Sequence, residues 1–327
     1  MTAAYGDPAL AARLEGFLGW RHPVAAAAAV TPAGTTTASI GAELAADFEI
    51  GSISKGVTGL LYAQALSRRE VEESTALGDL LALGPVSAGG VSLGALSTHR
   101  SGLPSLPRSA APLRRTIALW RTGVNPYGET LAELLDQARG VRLARPVPRY
   151  SNFGFELLGH ALAAAAGTTY PELIRRRVAE PLGASTLYAP ANTEELSPTA
   201  LPGRNRAGKP QEPWTGEALA PAGGLRASIT DMARLTGALL DGTAPGITAL
   251  DPIAPFGRKT RIGAAWITLE QAGREITWHN GGTGGFRSWL GLDRQADTGV
   301  VLLTATSASV DRHGFALLTD IAKNGMG

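Results

Sequence analysis

The chain has 327 residues, 44% of them hydrophobic and 18% charged, and a formal net charge of +2. That is the balance of a folded protein with an ample core, not of a disordered chain, and no lysine/arginine run calls for nucleic acid as a partner. Cysteine is absent, which excludes disulfides, thiolate metal sites and a cysteine nucleophile. His22, His99, His160, His279 and His313 are scattered without His-x-x-x-His spacing, so neither a metal nor any other cofactor is expected.

At the N-terminus the first basic residue is Arg13, and Asp7 and Glu15 sit where a secretory signal tolerates no acid. Pro8 to Trp20 reads instead as an amphipathic helix with Leu10, Leu14, Phe17 and Leu18 on one side. The run Ala25 to Ala29 is too short to span a bilayer and no other stretch does so. A cytoplasmic protein with no membrane partner is the expectation.

Pro23 to Val30 and Thr35 to Ile40 flank Thr31-Pro32-Ala33-Gly34, a hairpin pattern. Phe48-Glu49-Ile50 then leads into Gly51 and an apolar helix with Ile53, Val57, Leu60 and Leu61 at helical spacing. Residues 69–217 differ in character: short helices broken by loops, one clear helix from Phe153 to about Ala166, and a long proline- and glycine-rich surface loop from Pro190 to Trp214. After Gly223-Gly224 strands return. Ile262 to Glu270 and Arg274 to His279 flank Gln271-Ala272-Gly273, and Ser288 to Leu292 pairs with Gly299 to Ala305. Asp311 opens a final helix with Phe315, Leu318 and Ile321 inward. Strands, then helices, then strands describe an α/β (α+β) chain. An antiparallel sheet of about five strands is built from residues 23–42 and 262–305 within a lobe of 1–68 and 218–327, the first and last helices lie on one face, and a helical insertion over 69–217 closes the other side of a single catalytic domain.

Three fragments carry chemistry. In Gly51-Ser52-Ile53-Ser54-Lys55 the serine and lysine are three apart on one helix face, so they are neighbours. A serine hydroxyl needs a base, a desolvated lysine can become one, and an arginine cannot. Taken alone, the pattern also fits a helix-capping serine and a solvated lysine. Composition tips the balance: of 30 basic residues only Lys55, Lys209, Lys259 and Lys323 are lysines, so a lysine inside an apolar helix is there for its amine. Tyr150-Ser151-Asn152 precedes the helix at Phe153; a tyrosine beside a cationic amine can move toward phenolate, and an asparagine amide can orient a lysine or bind a carbonyl. Trp278-His279-Asn280-Gly281-Gly282-Thr283-Gly284-Gly285-Phe286 runs from strand into a glycine cluster whose N–H groups could stabilise an oxyanion. It is not a phosphate loop, because the lysine of that motif is missing and no helix follows.

Together the fragments resemble the three motifs of the serine β-lactamase and penicillin-binding-protein superfamily, closest to its class C branch and the esterase relatives of that branch. Ser52-x-x-Lys55, Tyr150-x-Asn152 and His279-Asn280-Gly281 stand in the family's order and separation, and the flanking phrases Leu96 to Pro104, Pro181-Leu182-Gly183 and Gly223-Gly224-Leu225 with Asp231-Met232 fit as well. The resemblance implies a β-lactamase-like fold with the site between the sheet and an all-helical lobe. It implies Ser52 as nucleophile, Lys55 and Tyr150 as its activating pair, His279 on the facing strand, the N–H groups of Ser52 and Gly282 as oxyanion donors, Asn152 as a substrate contact, and His99 as a structural residue of a loop turn. The departure is His279, where the family usually has lysine. A neutral imidazole neither holds a phenolate nor attracts a carboxylate.

The expected activity is therefore that of a serine acyl-hydrolase on a small-molecule ester, amide or lactam through an acyl-enzyme. The alternatives are a D-alanyl-D-alanine peptidase or β-lactamase, a biosynthetic acyltransferase, and a non-catalytic β-lactam sensor. Arg287 is expected in a surface ion pair, and the sequence sets no oligomeric state.

Overall fold

The computed structural model describes residues 3–106, 111–271 and 273–325. Its strands are β1 (Ala4–Gly6), β2 (Ala25–Thr31), β3 (Gly34–Ile40), β4 (Asp47–Glu49), β5 (Arg226–Ser228), β6 (Ala254–Pro255), β7 (Thr260–Ile262), β8 (Ile267–Gln271), β9 (Arg274–Gly282), β10 (Arg287–Asp293) and β11 (Thr298–Thr304). Helices of ten residues or more are α1 (Pro8–Leu18), α2 (Ile53–Ser67), α3 (Pro112–Thr122), α4 (Leu131–Gly140), α5 (Asn152–Ala165), α6 (Ile229–Leu240) and α7 (Asp311–Asn324).

One antiparallel sheet runs in the order β1-β3-β2-β11-β10-β9-β8-β7-β6. The two chain ends meet at its centre, where β2 pairs with β11 and Ala28 stands opposite Val301. The alanine run of β2 alternates as a strand must: Ala25, Ala27 and Ala29 face one side, Ala26 and Ala28 the other. Such small side chains let helices lie close on both faces. α1 and α7 cover the first face with Leu10, Leu14, Leu317 and Ile321 around the buried Trp289. α2 and α6 cover the second, continuous with the larger core that reaches into residues 69–217.

Among the described residues the sheet has nine strands, against about five expected from the sequence. The additional ones are short edge strands without an alternating run. The stretch from Ile262 to Glu270 is also two strands, not one. Gly263 N–H donates to Trp266 O and Ala265 takes φ 70°, a tight turn that sets the Ala264 carbonyl against Gly59 of α2. In the following hairpin, Ala272 lies outside the described residues. Among the described residues no helix is long and apolar enough to cross a membrane.

The loop from Pro190 to Trp214 does more than cover the surface. It forms a two-residue ribbon, Gly203–Arg204 with Pro210–Gln211. Gly203 is buried against Phe286 and Gly285, so the loop braces the glycine-rich turn after β9.

Candidate active site

The nucleophile motif is positioned by a backbone that only glycine adopts easily. Gly51 has φ 51°, and a side chain there would meet Gly282 N at 2.5 Å. Gly281 is equally constrained, since a Cβ on it would overlap Ile50 O at 2.0 Å. The N-terminus of α2 and the end of β9 thus touch backbone to backbone, which places Ser52 against Gly282. Ser52 stands just before α2, and Lys55 follows on the first turn, its N–H donating to Ser52 O at 3.0 Å.

Lys55 Nζ donates to Ser52 Oγ at 3.1 Å and to the Ala222 carbonyl. The amine is fully buried, and desolvation lowers its pKa to about 7, against a smaller upward pull from Glu156. Among the described residues no carboxylate lies within ion-pair distance of it. The Tyr150 hydroxyl lies beside Ser52 on the same cleft, and its ring lies beneath the lysine, with Nζ 4.9 Å from the centroid. Burial pushes the Tyr150 phenol well up, only partly offset by Ser52. The tyrosine is therefore a phenol at neutral pH. The motif suggests a drift toward phenolate, but burial is the largest influence on the tyrosine and Ser52 offsets it only in part.

His99 packs on Tyr150, with ring centroids 4.5 Å apart, and its Nδ1 accepts from Ser151 N–H at 3.2 Å. It sits at φ 57° in the loop turn after the short helix Leu93–Ser97. Ser151 in turn caps α5, accepting from Gly154 N–H at 2.9 Å. A relay of local contacts thus fixes the Tyr150-Ser151-Asn152 corner. Asn152 Nδ2 donates to Tyr127 Oη at 3.1 Å.

His279 is buried behind the motif on β9. Its Nδ1 meets the Asn280 carbonyl at 2.7 Å, so this nitrogen carries the proton and Nε2 offers a lone pair with no partner. Desolvation, then Lys55, lowers its pKa to about 4. A cleft of about 340 Å³ opens on Ser52 and Tyr150 and is walled by Asn280 to Gly282 with Arg287 and Asp311. His279 is absent from that wall, whereas Ser52, Tyr150 and Gly282 are on it.

A family model described as Beta-lactamase matches residues 13–322. The chain belongs to the beta-lactamase family, and so to the serine hydrolases. A Beta-lactamase-like protein of Arthroderma benhamiae is 28% identical over 298 residues, covering 78% of this chain and 48% of its own length. The unguisins hydrolase of Aspergillus campestris is 26% identical over 250 residues, covering 68% of this chain and 43% of its own. The chain spans about half the length of these two curated relatives. The class C beta lactamase of Rhodobacter sphaeroides superposes with a TM-score of 0.80 at 20% identity, over 96% of this chain and 99% of that one, a likeness of fold.

Several residues of this beta-lactamase family site escaped sequence reasoning. Tyr127, packed on Trp214 at a centroid distance of 4.8 Å, comes from segments without periodicity. Trp214 N–H donates to the buried Glu49 at 2.9 Å, which ties the loop to the strand that leads into Ser52. Arg287 is not in a surface ion pair: its Nη1 donates to the Thr283 and Phe286 carbonyls at 2.9 and 3.0 Å. Asp311, expected only as a helix start, also accepts from Asn280 Nδ2 at 3.0 Å on the cleft wall. Glu156 had one available signal, a charge in the middle of an otherwise apolar helix, four residues after Asn152.

Proposed function

We propose that this chain is an esterase or amidase that works through an acyl-Ser52 intermediate on a small, uncharged ester, amide or lactam. One observation carries the reading: the Ser52 hydroxyl accepts from the buried Lys55 amine and lies beside the half-buried Tyr150 phenol on one cleft wall, while the buried imidazoles His99 and His279 are both held neutral. With its pKa near 7, Lys55 is in part a free amine at neutral pH and takes the Ser52 proton as Oγ attacks the carbonyl. The N–H groups of Ser52 and Gly282 receive the developing oxyanion at the start of α2, where the helix end favours negative charge. Tyr150, kept as a phenol, has a proton to give to the departing alkoxide or amine. A poor leaving group needs that acid, and a phenolate could not supply it. The Lys55 ammonium then returns its proton to the Tyr150 phenolate, and the restored amine takes a proton from the attacking water and passes it to Ser52 Oγ as the acid leaves.

The preference for an uncharged substrate rests on two features. His279 carries no charge at neutral pH, so no fixed cation stands in the place usual for the family's lysine. The Asp311 carboxylate faces the cleft, and Arg287 is already engaged by two carbonyls. The test is hydrolysis of a short-chain p-nitrophenyl ester beside labelling with a fluorescent penicillin, each in wild type and Ser52→Ala. Turnover of the ester that disappears in Ser52→Ala supports the reading. Stable penicillin labelling without ester turnover would replace it with a β-lactam-sensing role.

A further inference from the structure

Positive charge is unevenly placed along the chain. Residues 105–128 and 137–155 each hold four arginines and no acidic residue, although the whole chain carries a formal charge of only +2. The remainder is therefore net negative. Helix α3 lies inside the first of these stretches, and its two faces differ. The inward face carries Arg115, whose guanidinium reaches Glu129 and the Pro126 carbonyl. It also carries Leu119, whose Cδ1 would meet a Cβ on Gly284 at 3.0 Å, so this face seats on the glycine-rich turn after β9. The outward face carries Leu113, Ile117 and Trp120, four and then three residues apart on one stripe, which Val124 continues just past the helix end. These side chains are in water: Leu113 is 73% and Trp120 76% exposed. Arg114 and Arg121, seven residues apart, flank the stripe on one side and are also exposed. Among the described residues Arg115 is the only arginine of α3 in an ion pair. The second stretch leads to Tyr150 on the cleft wall, and all of residues 142–149 are exposed, with Leu143 and Val147 set among Arg142, Arg145 and Arg149.

We propose that α3 is an interfacial helix that docks this protein on an anionic lipid surface, with Leu113, Ile117 and Trp120 among the acyl chains and Arg114 and Arg121 on the headgroups. Charge selects this occupant, because anionic headgroups complement two arginine stretches that contain no acid of their own. The stripe is the outer side of a single helix, a ridge whose side chains stand out from the surface, and a bilayer can bury a ridge without a matching recess. A tryptophan with arginines alongside suits the headgroup boundary, where apolar bodies sink and polar heads stay wet. Among the described residues no helix can cross a membrane, and an interfacial helix does not need to; the sequence expectation of no membrane partner addressed spanning alone. Docking also places the site. With Leu119 against Gly284, the glycine-rich turn stands one helix diameter, ~10 Å, above the lipid. The docking surface does not depend on the reading of Ser52 as nucleophile.

The test is sedimentation of the full chain with vesicles of phosphatidylcholine alone and of equimolar phosphatidylcholine and phosphatidylglycerol, read together with tryptophan emission. The chain should bind the anionic vesicles and not the zwitterionic ones, binding should weaken as salt is added, and emission should shift to the blue. Trp120→Phe should keep most of the binding and abolish the blue shift, which separates Trp120 from the other exposed tryptophan, Trp20. Trp120→Glu should weaken binding at least about tenfold. Arg114→Gln and Arg121→Gln should weaken it about fivefold each. Ser52→Ala should bind as wild type does, so a failure of the hydrolase reading leaves this result untouched. No sedimentation with the anionic vesicles, binding that survives Trp120→Glu and both arginine substitutions, or a blue shift that survives Trp120→Phe overturns the proposal. So does tighter binding to soluble polyglutamate than to the vesicles, which would assign the face to an acidic protein. A dimer in analytical ultracentrifugation that Trp120→Glu dissolves would overturn it as well, by assigning the face to a second copy of the chain.

Discussion

Two buried charged clusters flank Ser52, and they are built on opposite plans. Beneath the strand that leads to the nucleophile, Arg226 is fully buried between Asp47 and Glu49. Its guanidinium reaches the Asp47 side chain, Glu49 Oε1 at 3.2 Å, and the main-chain carbonyls of Asp47 and Leu201 at 3.0 and 3.1 Å. Burial pushes the Glu49 carboxyl up against the pull of Arg226, so Asp47, with two oxygens on the guanidinium, is the stronger partner. Lys55 is buried just as deeply, yet it meets only a hydroxyl and one carbonyl. Where a counter-ion is supplied, a buried charge persists and locks β4 to β5; where it is withheld, desolvation removes the charge and leaves a base. The difference separates a structural ion from a reactive group, and it lies in the partners, not in the depth of burial.

The largest effect should come from the proposed nucleophile. Ser52→Ala is expected to lower ester turnover by at least ~10³-fold, and a phosphonate probe that labels Ser52 should fail to label the variant. Labelling that persists there and vanishes in Ser54→Ala would move the nucleophile to Ser54, whose Oγ instead bonds the Gly51 carbonyl at 2.7 Å. Next is Lys55→Arg, which keeps the cation but cannot give up its proton; a loss of about 10²–10⁴-fold is expected. The rise of kcat/KM through about pH 7, set by the lowered lysine pKa, should vanish with it.

Stability tests the same comparison from the other side. Arg226→Ala leaves two buried carboxylates without a cation and should cost about 3–5 kcal/mol, read from the urea midpoint. Lys55→Met should do the reverse at pH 7. The folded pKa of Lys55, about 7, lies below its ordinary value of 10.5, so between those values the unfolded chain binds more protons and wild-type stability rises with pH. Removing the amine should stabilise the fold by about 4 kcal/mol at neutral pH, with the gain shrinking toward pH 10. Equal losses in Lys55→Met and Arg226→Ala would show that the two clusters do not differ in kind.

The smallest effect belongs to His279. With its pKa lowered to about 4, the imidazole is uncharged throughout the working range, so His279→Asn should leave the pH profile between about 6 and 8 unaltered in shape. His279→Lys should improve binding of carboxylate-bearing β-lactams several-fold while reducing ester turnover. A wild-type profile that drops between pH 6 and 8 and flattens in His279→Lys would make His279 an essential cation.

The sequence by itself determined the elements whose causes are local. The short extended runs of β2 and β11 drew the sheet centre, the spacing of Ile53, Val57 and Leu60 drew α2, and Ser52-x-x-Lys55 and Tyr150-x-Asn152 marked two corners of the candidate site. The short edge strands and the break at Gly263 to Trp266 left no such trace, because main-chain bonds to partners distant in sequence define them. Only the tertiary structure decided the states of the site's groups. Lys55 as amine, Tyr150 as phenol and His279 as neutral imidazole all follow from desolvation, which sums over every atom packed around a group and has no period along the chain. For the same reason Glu156 and the loop bearing Trp214 became part of the site only when α5, α2 and the turn after β9 were brought together.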